Sequence, residues 1–143
     1  MVHSFSALYA ISSFIKNENY HLHKLNYKSE LLTIGVEGKL FSQNIKTELK
    51  SIVLIGNNLY YKGWNTYLEL SMLFPSITFH VVGSGNQLVS PKKDSKHLKN
   101  VICHGQLSHD QLNDLLKHID LHVFPSRSEG FPKVLLESAA AGI

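Results

Sequence analysis

An α/β domain with a parallel sheet is the fold the sequence predicts, and three observations predict it. From Ser51 onward, short runs rich in β-branched residues alternate with longer amphipathic segments. The runs are apolar almost throughout rather than alternating, which marks strands buried on both faces. Each run then stops at Gly, Asn or Pro, residues that turn a chain.

Taken in order, Ser51–Ile55 is the first strand, ended by Gly56-Asn57-Asn58. Trp64 to Leu73 has apolar residues at Trp64, Tyr67, Leu68, Leu70, Met72 and Leu73, a helix stopped before Pro75. Ile77–Val82 is the second strand, ended by Gly83-Ser84-Gly85, and Lys92–Lys99 is a basic, solvated stretch. Val101–Cys103 is a short third strand. Ser108 suits an N-cap, with Gln111 completing a capping box, and its helix runs to about His118. Asp120–Phe124 is the fourth strand. Pro132 suits the first turn of a last helix that begins near Phe131 and reaches about Ala141.

The first 48 residues differ. Met1–Ile15 carries a helical stripe of Phe5, Leu8, Ile11, Phe14 and Ile15, followed by a polar, patchy stretch in which Leu31–Ile34 is a short strand. The expected division is therefore 1–48, an N-terminal helix and linker or the remnant of a preceding domain, and 49–143, the α/β domain.

Composition narrows the function. The chain has 143 residues, 43% of them hydrophobic and 17% charged, with a net charge of +3. That balance suits a folded domain rather than a self-repelling disordered chain. A single cysteine, Cys103, builds neither a disulfide framework nor a cysteine zinc site, and reads as a small core residue. No apolar run reaches the roughly 18 residues of a spanning helix, and the N-terminus lacks the basic region and cleavage site of a signal peptide. Arg127 is the one arginine, so base reading by guanidinium forks, and with it nucleic-acid binding, is not expected. His21 and His23 have no third ligand marked near them and read as surface residues.

In parallel α/β sheets, ligands bind at the carboxyl ends of the strands. The distinctive residues lie in those loops: Gly56–Gly63, Gly83–Asn86, His104–Leu107 and Pro125–Pro132. The strongest signal is Phe124-Pro-Ser-Arg-Ser-Glu-Gly-Phe-Pro-Lys-Val-Leu-Leu-Glu137. Glu129 stands in the loop and Glu137 eight residues on, in the helix. Backbone N–H groups of Gly130, Phe131 and Lys133 at the helix start suit phosphate or other acceptors. Glu137, an acceptor only, suits a diol such as a ribose, and Glu129 suits sugar hydroxyls.

This string resembles the Glu-x7-Glu motif of the retaining GT-B glycosyltransferases, the glycosyl transferases group 1. Pro125-Ser126-Arg-Ser-Glu129-Gly130-Phe131 and Glu137-Ser-Ala139-Ala-Ala-Gly142 match its form, and Pro132-Lys133 resembles a subgroup from bacterial surface-polysaccharide clusters. Lys62-Gly63, Val82-Gly83-Ser84-Gly85 and Val101-Ile-Cys-His-Gly105-Gln-Leu resemble further family segments in family order. Gly-x-Gly alone carries little; all the pieces in order, over Ser51 to Ile143, make a specific match.

The resemblance implies a Rossmann-like domain, part of the C-terminal half of a GT-B fold, that binds a UDP- or GDP-sugar and transfers a hexose with retention. It implies catalytic roles for Glu129 and Lys62, the latter on the diphosphate as a point charge. Glu137 holds the ribose. Glu129 with Gly130 and Phe131 grips the sugar, Ser126 reaches the phosphate or ribose, and Gln106 and Leu107 flank the base. No metal or cofactor is expected, and no Asp-x-Asp occurs in the chain. One departure stands out: the family commonly has Gly-Arg before Lys-Gly, and the arginine binds phosphate. Here Gly56-Asn57 replaces it, so either phosphate affinity is weaker or Lys133 compensates.

A GT-B enzyme has two such domains, so the acceptor side is expected from an N-terminal domain or a separate partner chain. The sequence also stops where another strand would begin, and reads as a fragment inactive alone. The implied setting is cytoplasmic, in polysaccharide or lipopolysaccharide biosynthesis, with peripheral association at the inner membrane face. The alternative is a non-catalytic nucleotide-binding or interaction module. A dinucleotide oxidoreductase fails, because Gly56-Asn-Asn-Leu-Tyr-Tyr-Lys lacks Gly-x-Gly-x-x-Gly. A glycosidase needs two carboxylates opposed across a bond, which nothing in the sequence marks.

Overall fold

Strand β1 (Ser51–Ile55) is buried at every position, as its unbroken apolar run requires of a central strand. The computed structural model describes residues 9–10, 12–32, 35, 48–129 and 132–143. It divides the chain into two compact units. One is Met1–Gly35 with Glu129–Lys133; the other is Val36–Ser128 with Val134–Ile143.

In the larger unit, β1 is followed by helix α2 (Trp64–Leu73), strand β2 (Thr78–Val82), the short helix α3 (Pro91–Asp94), strand β3 (Val101–Gly105), helix α4 (His109–Leu116), strand β4 (Leu121–His122) and helix α5, which spans Lys133–Ala140. The sheet order is β3-β2-β1-β4, and every pairing is parallel. The chain therefore walks outward from β1 to β3, then crosses back through α4 to place β4 on β1's other side.

Period two sorts the strand residues into two cores. Ile52, Leu54, Phe79 and Val81 face α2, where they pack with Leu59, Trp64 and Tyr67. Val53, Ile55 and Val82 face α4 and α5, against Leu112, Leu116, Ile119 and Ala141. Burying one such aliphatic or aromatic side chain contributes about 1.5–3 kcal/mol. The fully buried Tyr67 hydroxyl lies 3.0 and 2.8 Å from the carbonyls of Ile52 and His80, which share its one proton, bracing β1 to β2.

Two polar clamps hold the amino ends of the strands. The Asp120 carboxylate accepts from the backbone N–H of Lys50 and Ser51 at 2.8 and 2.7 Å. The Asn100 amide donates to the carbonyls of Ser71, Phe74 and Ile77. The capping box at Ser108 and Gln111 forms as the sequence reads it, with both reciprocal hydrogen bonds.

Several boundaries move. The fourth strand shrinks to two residues, since β4 pairs with β1 only at Leu121 and His122. The third strand lengthens to Gly105 because a register shift between Val81 and Val82 accommodates His104 as an extra residue. The last helix runs from Lys133, two residues after the expected start near Phe131, and the basic stretch after Ser90 contains α3.

The smaller unit corrects the N-terminal reading. Its helix α1 (Ser13–His23) starts at a Ser12 N-cap, whose hydroxyl accepts from Ile15 N–H at 3.2 Å, so the helix occupies much of the supposed polar stretch. Ala10 is not helical; it forms a parallel bridge with Leu31. The expected helix over Met1–Ile15 lies outside the described residues at 1–8 and at Ile11, as do Thr33 and Ile34 of the expected strand. His21 and His23 are exposed on α1. Among the described residues no group of three or more His, Cys, Asp or Glu side chains could hold a metal ion, and no helix is long and apolar enough to cross a membrane.

Candidate functional site

The crossover through α4 makes a topological switch point: β1 and β4 are neighbours, and the loops after them meet. The first is 56–63 and the second 123–128. They are tied by backbone. Tyr61 O accepts from Arg127 N–H at 3.0 Å and from the Ser126 hydroxyl at 3.3 Å. Gly63, at φ 83°, lies so close to Pro125 that a Cβ there would overlap the Pro125 carbonyl oxygen.

Lys62 lies at the centre of this junction. Its stem crosses Gly56, where an added Cβ would come 2.7 Å from Lys62 Cγ. Its ammonium sits 5.6 Å from the centre of the Phe124 ring, on the neighbouring loop. A side chain at position 56 would push the Lys62 stem aside, so Gly56 lets the cation lie toward the ends of β1 and β4. Across the same rim, the Arg127 guanidinium stands 5.2 Å from the Tyr60 ring centre. Two cations therefore rest on aromatic faces at one switch point.

The strand ends form a flight of glycine steps toward β3. Gly56 N–H donates to Val82 O at 3.0 Å, and Gly83 N–H donates to Gly105 O at 2.7 Å. Gly83 sits directly against the Gly56 carbonyl, leaving no space for a side chain. The loops are cross-linked by Asn86, which donates to Asn58 Oδ1 at 2.7 Å.

On the α4/α5 side, His122 of β4 shares a 2.8 Å hydrogen bond with the Ser138 hydroxyl of α5. That contact ties α5 to β4 one residue from Glu137, which is buried at 7% exposure. Burial lowers the His122 pKa to about 4, so the ring is neutral near pH 7; its Nε2 is buried with no hydrogen-bond partner among the described residues. Further along the same face, His80 and His104 lie nearly coplanar, with 2.9 Å between Nδ1 and Nε2. Burial lowers both pKa values, and for His80 the neighbouring ring adds to the shift.

The structure thus brings Gly56, Lys62 and Ser126 together at the junction, with exposed Asn57 in the same loop. Gln106 is exposed just after β3, whereas Leu107 packs inward with the α4 cluster. Glu129 and Lys133 fall in the smaller unit, half-buried and exposed respectively. Gly130 and Phe131 lie outside the described residues. Sequence reasoning gave no role to Phe124 or His122, and read Tyr60 and Tyr61, which flank Lys62, as able to stack on a ligand. Phe124 begins the most distinctive string in the chain, a signal that was available; the Tyr60–Arg127 and His122–Ser138 pairs join residues far apart in sequence and carried none.

Comparison with known proteins adds to this geometry. A family model described as "Glycosyl transferases group 1" matches residues 36–143. The chain is similar to a 2-deoxystreptamine N-acetyl-D-glucosaminyltransferase of Niallia circulans, at 32% identity over 72% of this chain and 29% of the relative. It is likewise similar to an N,N'-diacetylbacillosaminyl-diphospho-undecaprenol α-1,3-N-acetylgalactosaminyltransferase of Campylobacter jejuni, at 33% identity over 73% of this chain and 28% of the relative. It thus spans under a third of the length of either. Among solved structures, the C-terminal domain of a glycosyl transferase group 1 family protein from Francisella tularensis superposes with a TM-score of 0.60, at 20% identity, over 75% of this chain and 67% of that one.

Proposed function

We propose, from the premise that this chain belongs to the glycosyl transferases group 1 family, that residues 49–143 bind a nucleotide-diphosphate sugar for retaining glycosyl transfer in polysaccharide biosynthesis. The observation that carries the reading is Lys62, laid over Gly56 and directed by Phe124 to the β1–β4 switch point. A cation fixed there suits a diphosphate leaving group, whose negative charge grows as the glycosidic bond breaks. Arg127, held on Tyr60 at the same rim, supplies the charge that the first loop lacks at Asn57. Ser126, whose hydroxyl donates to Tyr61 O beside Lys62, is assigned to the phosphate or ribose. Glu137, on the helix tied to β4 by the His122–Ser138 contact, accepts from the ribose hydroxyls. Glu129, Gly130, Phe131 and Lys133 are assigned to the sugar, and Gln106 with the backbone of Leu107 to the base.

The relatives' names describe transfer of N-acetylhexosamines to an aminocyclitol and to a lipid-linked diphosphate. We assign this chain a hexosyl-type donor and an acceptor contributed by a second domain or a partner chain. No metal is needed where side-chain cations stabilise the leaving group.

Calorimetric titration with UDP, GDP and uridine tests the assignment. Saturable diphosphate binding is expected for one of the two bases. Lys62→Met should weaken it by roughly tenfold while leaving the affinity for the nucleoside unchanged, since one charge-assisted contact is lost. Equal UDP and GDP affinities in wild type and Lys62→Met would overturn the role of Lys62.

A further inference from the structure

The segment assigned above to the base, Gln106 with the backbone of Leu107, leaves β3 through an irregularity in the sheet. Val81 pairs with Cys103 and Val82 with Gly105, so His104 is an extra residue on β3. A bulge leaves such a residue without a ladder partner and bends its strand. The ladder closes again at Gly83 N–H, which donates to Gly105 O at 2.7 Å. Gly105 then turns at φ 74°, Gln106 is exposed, and Leu107 packs toward the α4 cluster. Where the extra residue falls decides which side each of these faces, since a one-residue slip exchanges the two sides of a strand.

A side-chain contact marks that place. His80 on β2 and His104 at the bulge are 2.9 Å apart, Nδ1 to Nε2, with their ring planes 7° apart. Two neutral imidazoles share one N–H in such a contact, whichever ring donates it. Elsewhere the same face is built from hydrocarbon: Val53, Ile55 and Val82 pack there with Leu112 and Leu116. An apolar pair would serve stability about as well, because a hydrogen bond within the fold gains little over the bonds to water that it replaces. What the imidazoles add is direction. A contact that needs two nitrogens in line holds one register, whereas hydrocarbon side chains tolerate several.

We propose that the His80–His104 bridge positions the base-binding segment: it pins the bulge of β3 to β2 and so presents Gln106 and the Leu107 backbone to the nucleotide base. The inference rests on the donor reading above, which places the base at that segment. Both histidines are positioning residues, acting through residues 105–107 rather than on the nucleotide itself. Two consequences separate this role from a general contribution to stability. The bridge acts on the choice of base, while the diphosphate belongs to Lys62 at the end of β1. The two rings also act as one unit, so the loss of either is the loss of both.

Calorimetric titration of the 143-residue chain with UDP and with GDP tests it. His80→Leu and His104→Leu should each weaken binding of the diphosphate that the wild type prefers by roughly fivefold, the loss expected for one hydrogen bond. The other diphosphate, which gains least from the base segment, should change less, so the preference narrows. The double variant His80→Leu/His104→Leu should be no weaker than either single one. It leaves no polar group behind, and carries the same test should a single variant fail to fold by circular dichroism. His80→Asn and His104→Gln keep an amide near the places of Nδ1 and Nε2 and should recover most of the lost affinity. An equal fall in both affinities, or a preference unchanged in the Leu variants, overturns the proposal while leaving the donor reading intact. A wild type that binds neither diphosphate overturns the donor reading and this inference with it.

Discussion

The two faces of the sheet are built to different rules. The α2 face is sealed by aromatic packing: Trp64, Tyr67 and Phe79 are at most 1% exposed, and Tyr67 meets Phe79 edge-on with ring centres 5.2 Å apart. The α4/α5 face carries imidazoles where the other carries hydrocarbon. His80 and His122 are each in register with Val53, from opposite sides of β1, and His104 bonds to His80. One face therefore resists change of pH and the other does not. The responsive face is also the one that seats α5 and Glu137, so acid should reach the candidate site before it reaches the aromatic core.

Cutting into the sealed face should do most damage. Tyr67→Ala removes a fully buried ring and the hydroxyl that braces β1 to β2, and should cost about 3–5 kcal/mol in urea denaturation. A loss under about 1 kcal/mol would mean that this face is not the stabilising core.

The second effect belongs to the histidine face. His122 titrates near 4 when folded and near 6.5 when unfolded, so the unfolded chain binds the extra proton between those values. Stability is full above about pH 6.5 and declines as pH falls toward 4, by on the order of 3 kcal/mol. His80 and His104 shift in the same direction and steepen the decline. Replacing the ring in His122→Gln should flatten much of that slope in melts recorded from pH 7 to 4.5. A slope identical to wild type would remove His122 from the account.

The finest test separates the helix contact from the ring's burial. Ser138→Ala deletes the hydroxyl that meets His122 and should cost about 1 kcal/mol at pH 7. If α5 is positioned through that contact, the variant should also weaken nucleotide binding several-fold, because Glu137 shifts with the helix. A stability loss with unchanged affinity would show that α5 is held elsewhere.

Much of the fold was legible because it is written in local signals. The apolar run 51–55 could only be a doubly buried strand, Ser108 and Gln111 announced a helix start, and Trp64–Leu73 carried its own boundaries. The errors fall where local signal is weak or overridden. Of the expected helix over Met1–Ile15, Phe5, Leu8 and Ile11 lie outside the described residues, while Ala10 is bridged to Leu31 and Ser12 caps a helix that starts only at Ser13. Asp120–Phe124 has the composition of a strand, yet it pairs for only two residues, since beyond His122 the chain turns to meet the first loop at Tyr61.

The candidate site divides in the same way. The sequence alone determined that glycines and one lysine stand after the first strand, that a Glu-x7-Glu string follows the fourth, and that both lie at carboxyl ends of parallel strands. Those are properties of residue type, order and spacing. Only the tertiary structure decided that Lys62 lies across Gly56 toward Phe124, that Arg127 rests on Tyr60, and that His122 meets Ser138 of α5. Each of these joins side chains far apart in the chain, and their meeting depends on the crossover that sets β4 beside β1. Periodicity reports which way a side chain faces; it carries no information about which distant side chain it will face.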